Sequence, residues 1–275
     1  MASIASNRVR PAAVAGMFYP GDRRELAQAV DAMLAAAAQP MPAQPVPKAI
    51  IAPHAGYVYS GPIAASVYTL LKPARARITR VVLLGPTHRV AVRGLALPEA
   101  DSFATPLGTV SVDRDAVAAI RKLPQVTISS AAHAGEHSLE VHLPFLQTVL
   151  DPFKLAPLAV GYAEPDEVAD VLDVVWGGPE TLIVISSDLS HYLNYREAQA
   201  IDRRTAEAIL ELRTDITHEQ ACGATPVTGL NLAAQRRRLT PRLLDLRNSG
   251  DTAGDKNRVV GYGAFAFFES TQHAH

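Results

Sequence analysis

The sequence predicts an α/β fold, a three-layer sandwich around a largely parallel or mixed sheet. Three observations predict it. Short apolar runs of strand length alternate with stretches of helical spacing along the chain. The clearest runs are continuously apolar rather than apolar at every second residue, which is the pattern of strands covered on both faces. The stretches between them serve as helical crossovers, the connections that parallel strands require.

The elements follow in order. Residues 24–38 are Ala-rich with helical spacing, and Pro40, Pro42, Pro45 and Pro47 then make an extended connector. Residues 48–52 read as a strand, 62–72 as a helix, and 79–84 as a second buried strand. Residues 110–112 form a short strand and 114–123 a helix. Residues 138–150 carry Leu139, Leu143, Leu146 and Leu150 on one stripe, with Pro144 forcing a kink or a late start. A strand over 154–160 tolerates Pro157, and a helix over 165–176 stops at Gly177-Gly178. Residues 181–186 are the cleanest buried strand. Helices follow over 196–212 and 226–239, the latter with Pro226 in its first turn, and 259–268 closes the chain as a strand. Antiparallel pairing is expected around 94–112 and at the last strand. With no internal repeat, the chain reads as one domain over 1–275, loose at 1–9 and 270–275.

Composition narrows the function classes. The 275 residues are 48% hydrophobic and 19% charged, enough apolar material for a large core. A net charge of -1 leaves no basic stripe for nucleic acid, and Arg236-Arg237-Arg238 reads as a solvated helix end favoured by the macrodipole. No apolar run approaches the ~20 residues that span a bilayer. The single cysteine, Cys222, excludes an intrachain disulfide, and the first ten residues hold no signal-peptide core, so the expected location is cytoplasmic.

The chemistry gathers at strand ends. The runs ending at Ala52, Leu84 and Ile185 lead into Pro53-His54-Ala-Gly56-Tyr57, Gly85-Pro86-Thr-His88 and Ser186-Ser-Asp188-Leu-Ser-His191. Each puts a histidine just past the carboxyl end of a buried strand, the edge where open parallel sheets bind ligands. One such histidine is ordinarily structural, whereas several at one edge imply a shared site. Imidazole is the common protein ligand for iron, copper, nickel and zinc. Gly56 and Gly85 are expected to let backbone approach a bound group, with Pro53 and Pro86 stiffening the loops.

Cys222 precedes Gly223 and a helix start, where the helix dipole is expected to favour thiolate; a small buried hydrophobe is the alternative. The segment His133-Ala-Gly-Glu136-His137-Ser-Leu-Glu140-Val-His142 does not have the His-Glu-x-x-His order of zinc proteases. His137 belongs with the site by its loop position. His142 reads as packing, and Glu140 as either a carboxylate orienting a histidine or a solvated acid. His273 and His275 are set aside as a polar tail.

Motifs spread over the chain resemble the MEMO family, which includes the prokaryotic AmmeMemoRadiSam system protein B. They are Arg10-Pro-Ala-Ala-Val-Ala-Gly-Met-Phe-Tyr-Pro-Gly21, Pro53-His-Ala-Gly-Tyr-Val-Tyr-Ser-Gly61, Gly85-Pro-Thr-His88, Phe103-Ala-Thr-Pro-Leu-Gly108, Glu136-His-Ser-Leu-Glu140, Ser186-Ser-Asp-Leu-Ser-His-Tyr192, Cys222-Gly223 and Gly261-Tyr-Gly-Ala264. That family is similar in fold to the class III extradiol dioxygenases, which use non-haem iron(II). The resemblance implies that His54, His88 and Cys222 hold one redox-active ion, iron(II) or copper, with thiolate where the dioxygenases have a carboxylate. It implies that His137, Asp188 and His191 line the same pocket. In an oxidoreductase, His137 or His191 would move protons, Asp188 would orient an imidazole, and Tyr57 and Tyr59 would touch substrate. The alternatives are a non-catalytic binding or regulatory protein, receiving a small molecule or peptide in the metal pocket, and a metal-handling protein. The prokaryotic resemblance also implies AMMECR1-like and radical-SAM pathway partners.

Overall fold

The computed structural model of the chain describes residues 8–41 and 44–269. Its strands are β1 Val9–Arg10, β2 Ala49–Ala52, β3 Arg80–Pro86, β4 Leu95–Leu97, β5 Ser102–Thr105, β6 Gly108–Val112, β7 Val126–Ile128, β8 Lys154–Val160, β9 Thr181–Ser186, β10 His191–Leu193, β11 Thr240–Asn248 and β12 Val259–Phe268. Its α-helices are α1 Arg23–Ala36, α2 Tyr57–Tyr68, α3 Arg114–Ile120, α4 Ser130–Ala134, α5 Leu143–Val149, α6 Pro165–Val175, α7 Tyr195–Leu210 and α8 Ala224–Arg237. All the strands join one sheet, with main order β1-β5-β6-β8-β3-β9-β2-β12-β10 and β11 alongside β12.

The sheet is mixed, as expected. β8, β3, β9 and β2 run parallel, whereas β5 with β6 and β12 with β2 and β11 pair antiparallel. Successive side chains of a strand face opposite ways. Accordingly Ile50, Val81, Leu83, Leu182 and Val184 enter one core with α1, α2 and α5. Ala49, Ile51, Val82, Leu84, Ile183 and Ile185 enter a second core with α3, α6 and α8. These two covered faces are the reason the central strands read as unbroken apolar runs.

Several expectations change. The helix after β2 starts at Tyr57 rather than residue 62, because Tyr57 N–H finds the Phe18 carbonyl at 2.7 Å and Ser60 N–H finds Gly56. Pro144 gives a late start: a short 3-10 turn over Glu140–His142 leads into α5 with the proline in its first turn. β11 was not foreseen, since Pro241, Arg242, Asp245 and Arg247 break its apolar pattern. Arg8 and Val9 are not loose: Arg8 N–H donates to Asp101, and Val9 pairs with Ser102. The remaining expected loose residues, with His273 and His275, lie outside the described residues. The basic run is not simply solvated, because Arg236 and Arg237 pair with Asp170 and Asp173 on α6, and Arg237 lies 4.1 Å above the Trp176 ring. Among the described residues no helix is long and apolar enough to cross a membrane.

His133 and His142 belong to the core. His133 Nε2 donates to the Ala96 carbonyl at 2.8 Å, and His142 Nδ1 meets the Tyr68 hydroxyl at 2.8 Å. Burial pushes them down to about 4 and about 3. Both are therefore neutral when folded but take a proton near pH 6.5 when unfolded. Their stabilisation is complete above that pH and is lost as the pH falls toward the folded values. Between about pH 6.5 and 4 the melting temperature of wild type is expected to fall more steeply than that of His142→Gln, which lacks one of the two groups. An equal fall in both, measured by calorimetry, would contradict this.

Candidate metal centre

The strand order builds the site. β3, β9 and β2 are adjacent and parallel, so their carboxyl ends open onto one edge. The loop after β2 presents His54, the loop after β3 presents His88, and the loop after β9 presents Asp188 between them. Cys222 arrives on the turn before α8. Its approach depends on Gly223, where an added Cβ would lie 2.6 Å from the Ser186 carbonyl and 2.7 Å from Ser187 Cβ. Gly223 N–H also donates to Ser187 Oγ at 3.0 Å. Gly85 permits a second close approach, since a Cβ there would meet Ser138 Oγ at 2.8 Å and Ser186 Cβ at 3.0 Å. That glycine admits the segment supporting the site rather than a bound group. Gly56 is in ordinary contact with Phe18 and is not needed for close approach.

One donor atom from each of His54, His88 and Cys222 can be chosen so that all lie within 4.8 Å of one another. Cys222 Sγ is 3.4 Å from His54 Nε2. Around a tetrahedral ion with bonds of about 2.0 Å to nitrogen and about 2.3 Å to sulfur, such donors stand about 3.5 Å apart. The ring centroids of His54 and His88 are 5.2 Å apart, and His137 joins them at 5.4 and 4.6 Å.

Neighbouring side chains fix the imidazole tautomers. Ser186 Oγ donates its one proton to the Ser138 carbonyl at 2.6 Å, so it accepts from His54 Nδ1–H, also at 2.6 Å. His54 Nε2 is left with its lone pair beside the sulfur. Glu136 Oε1 accepts from His88 Nδ1 at 2.9 Å, while Glu136 Oε2 accepts His88 N–H at 2.6 Å. Amides of His137 and Ser138 also donate to Glu136 at 2.9 Å, and these contacts hold its carboxyl down at about 2 despite burial. Imidazole lone pairs fixed by outward N–H bonds, together with one thiol, suit a soft or borderline transition-metal ion.

The remaining site residues separate by role. Asp188 does not orient an imidazole ring. Its Oδ1 accepts the His54 backbone N–H at 2.7 Å, its Oδ2 stands 4.0 Å from His54 Nε2, and burial raises its carboxyl to about 7. Ser186 and Glu136 orient the rings instead. The signal for them in the sequence was weak, a serine at a strand end and an acid directly before a loop histidine. Glu140 also leaves that role: it pairs with Arg10 and accepts from Ala13 N–H, Val14 N–H and the Tyr19 hydroxyl, which ties the N-terminal segment down. That segment places Phe18 4.7 Å from the His137 ring. Tyr57 is not available to substrate, because it lies in the core and its hydroxyl donates to the Val141 carbonyl at 2.6 Å. Tyr59, on the first turn of α2, is exposed. His191 is half-buried and packs on Tyr192, whose φ of 60° puts a non-glycine residue in the left-handed region beside the site.

Burial, with the neighbouring Asp188, pushes the Cys222 thiol well above its ordinary value, and the helix dipole does not offset this. Burial and the adjacent imidazoles of His88 and His137 hold His54 well below its usual range. An incoming cation therefore displaces one proton from sulfur and none from His54.

A mixed parallel sheet with two imidazoles and a thiol converging at its carboxyl edge defines an α/β protein with a candidate transition-metal site. The chain belongs to the Memo family: its residues 10–266 match the family described as Memo-like protein. It is 38% identical over 268 residues to a MEMO1 family protein of Aquifex aeolicus, covering 93% of this chain and 97% of that one. A MEMO1 family protein of Archaeoglobus fulgidus is 34% identical, covering 92% and 97%, and one of Methanopyrus kandleri is 32% identical, covering 94% and 98%. The crystal structure of an uncharacterized Escherichia coli K12 protein superposes with a TM-score of 0.50 at 12% identity, covering 78% of this chain and 98% of that one, which is a likeness of fold.

Two outcomes follow from this geometry. Metal affinity is expected to rise about tenfold per pH unit between about pH 6 and 8, as the thiol proton is displaced; pH-independent competition against a chelator would contradict it. Ser186→Ala, which frees the His54 ring, is expected to weaken binding by about tenfold or more and to lower the melting temperature, because the buried His54 Nδ1–H and Ser138 carbonyl lose their partner. Unchanged affinity in that variant would remove Ser186 from the orienting role.

Proposed function

We propose that this Memo-family chain is a metal-dependent redox protein related to the extradiol dioxygenases, with His54, His88 and Cys222 holding one iron(II) or copper ion. The observation that carries the reading is the mutual approach of those donors at the sheet's carboxyl edge, with both imidazoles oriented by hydrogen bonds. A bound ion of this kind would supply one-electron chemistry and a coordination position for oxygen or a reduced substrate.

The chain's own residues do the rest. His54 is buried, so its lone pair is kept from solvent protons, while the His88 side chain is 30% exposed and reaches solvent. His137 sits against both rings, and burial lowers it to about 4, which leaves it neutral near pH 7; a proton taken from substrate there would be held weakly and passed on. His191, lowered by burial, is the second candidate proton acceptor. Asp188 accepts the His54 backbone N–H and so holds the loop that carries the ring. Tyr59, exposed on the first turn of α2, is the aromatic offered to a flat substrate.

Protein purified without added metal is expected to carry iron or copper that His54→Ala and His88→Ala lose. With catechol-class reductants it is expected to take up oxygen faster than those variants do. Metal content equal to the variants would overturn the metal site. Bound metal with no oxygen uptake across the panel would overturn the redox activity.

A further inference from the structure

A second set of donors stands beside the first and does not include the thiol. His88, Glu136 and His137 each offer an atom within the same 4.8 Å limit. His88 Nδ1 is 2.9 Å and His137 Nδ1 is 3.3 Å from the same oxygen, Glu136 Oε1. Bonds of about 2.1 Å at right angles separate neighbouring donors by about 3.0 Å, so these two spacings match two edges of one face of an octahedral ion. The two rings are stacked at 4.6 Å with 25° between their planes, and both Nδ1 atoms lie toward the one carboxylate oxygen. The carboxylate is not a solvated surface acid, since its side chain is 2% exposed. Both rings are partly open to solvent, His88 30% and His137 16% exposed.

We propose that His88, Glu136 and His137 form a second cation position, alternative to the thiolate-containing one, that takes a hard divalent ion such as manganese(II). The inference shares His88 with the proposed metal-dependent function but does not require redox turnover. A neutral imidazole has one lone pair. With its proton on Nδ1, His88 donates to Glu136 and offers Nε2. With its proton on Nε2, it offers Nδ1, and Glu136 Oε1 exchanges that hydrogen bond for the ion. The His88 tautomer thus selects the position, and the chain holds one ion at a time. The donor types divide by hardness: two imidazoles with a thiol favour copper(I) or iron(II), and two imidazoles with a carboxylate favour manganese(II) or iron(II).

The test titrates the full chain with manganese(II) alone, followed by electron paramagnetic resonance of the free ion, and separately with cobalt(II), followed by its thiolate charge-transfer band. Cys222→Ser and His54→Ala are expected to keep manganese(II) affinity within a few fold of wild type, while His137→Ala loses tenfold or more. In His137→Ala the cobalt(II) thiolate band should persist, which also reports that this variant is folded. With both ions present, cobalt(II) should displace manganese(II). Manganese(II) binding that disappears in Cys222→Ser, or that survives in His137→Ala, would overturn the second position. So would the absence of manganese(II) binding in wild type that still gives the cobalt(II) band. Absence of the cobalt(II) band in wild type would instead remove the thiolate site, and the two failures are told apart by which probe is lost.

Discussion

The adjacency of three parallel strands governs the molecule. Because β3, β9 and β2 lie side by side with their carboxyl ends together, residues as far apart in sequence as His54, His88 and Asp188 share one small volume. The register is held by apolar packing on both faces, where side chains of the central strands are fully buried. A one-residue slip would exchange the two cores and turn every strand residue to the wrong face. The sheet therefore holds the loops, and the loops hold the donors, without relying on the donors themselves for stability.

Around that edge the chain satisfies its polar groups in a definite order. Arg10 donates to the carbonyls of His133 and Glu136 and pairs with Glu140, so the N-terminal strand locks the segment bearing Glu136 and His137. Glu136 then receives the amides of its own segment and of His88, and through His88 Nδ1 it reaches the donor set. Serine plays the equivalent part for His54. Removing one partner of a buried ion pair such as Arg10–Glu140 costs about 3–5 kcal/mol, so the site's support is sensitive to either residue.

Much of this was legible in the sequence because it rests on local pattern. Continuous apolar runs over 79–84 and 181–186 announced doubly covered strands, and a histidine or acid just beyond each run announced the ligand edge. Pairing across the sheet was less legible. β11 is held by β12 and α7 rather than by its own pattern, so its mixed residues gave no signal. The roles of individual side chains were least legible, since they depend on which neighbour arrives first. Glu140 and Glu136 are both acids near loop histidines; only the fold assigns one to Arg10 and the other to His88. Tyr57 and Tyr59 are two residues apart, yet the start of α2 sends one into the core and the other to solvent. The expected thiolate failed for a similar reason, because burial beside Asp188 outweighs a helix end.

The central claim is that two imidazoles and one sulfur meet on a single ion. Crystals grown without oxygen, loaded with iron(II) and measured on both sides of the iron absorption edge, test it most directly. The account predicts an anomalous peak within bonding distance of His54, His88 and Cys222. A peak with the Cys222 sulfur beyond bonding distance, or no peak at the carboxyl edge of β3, β9 and β2, would contradict it.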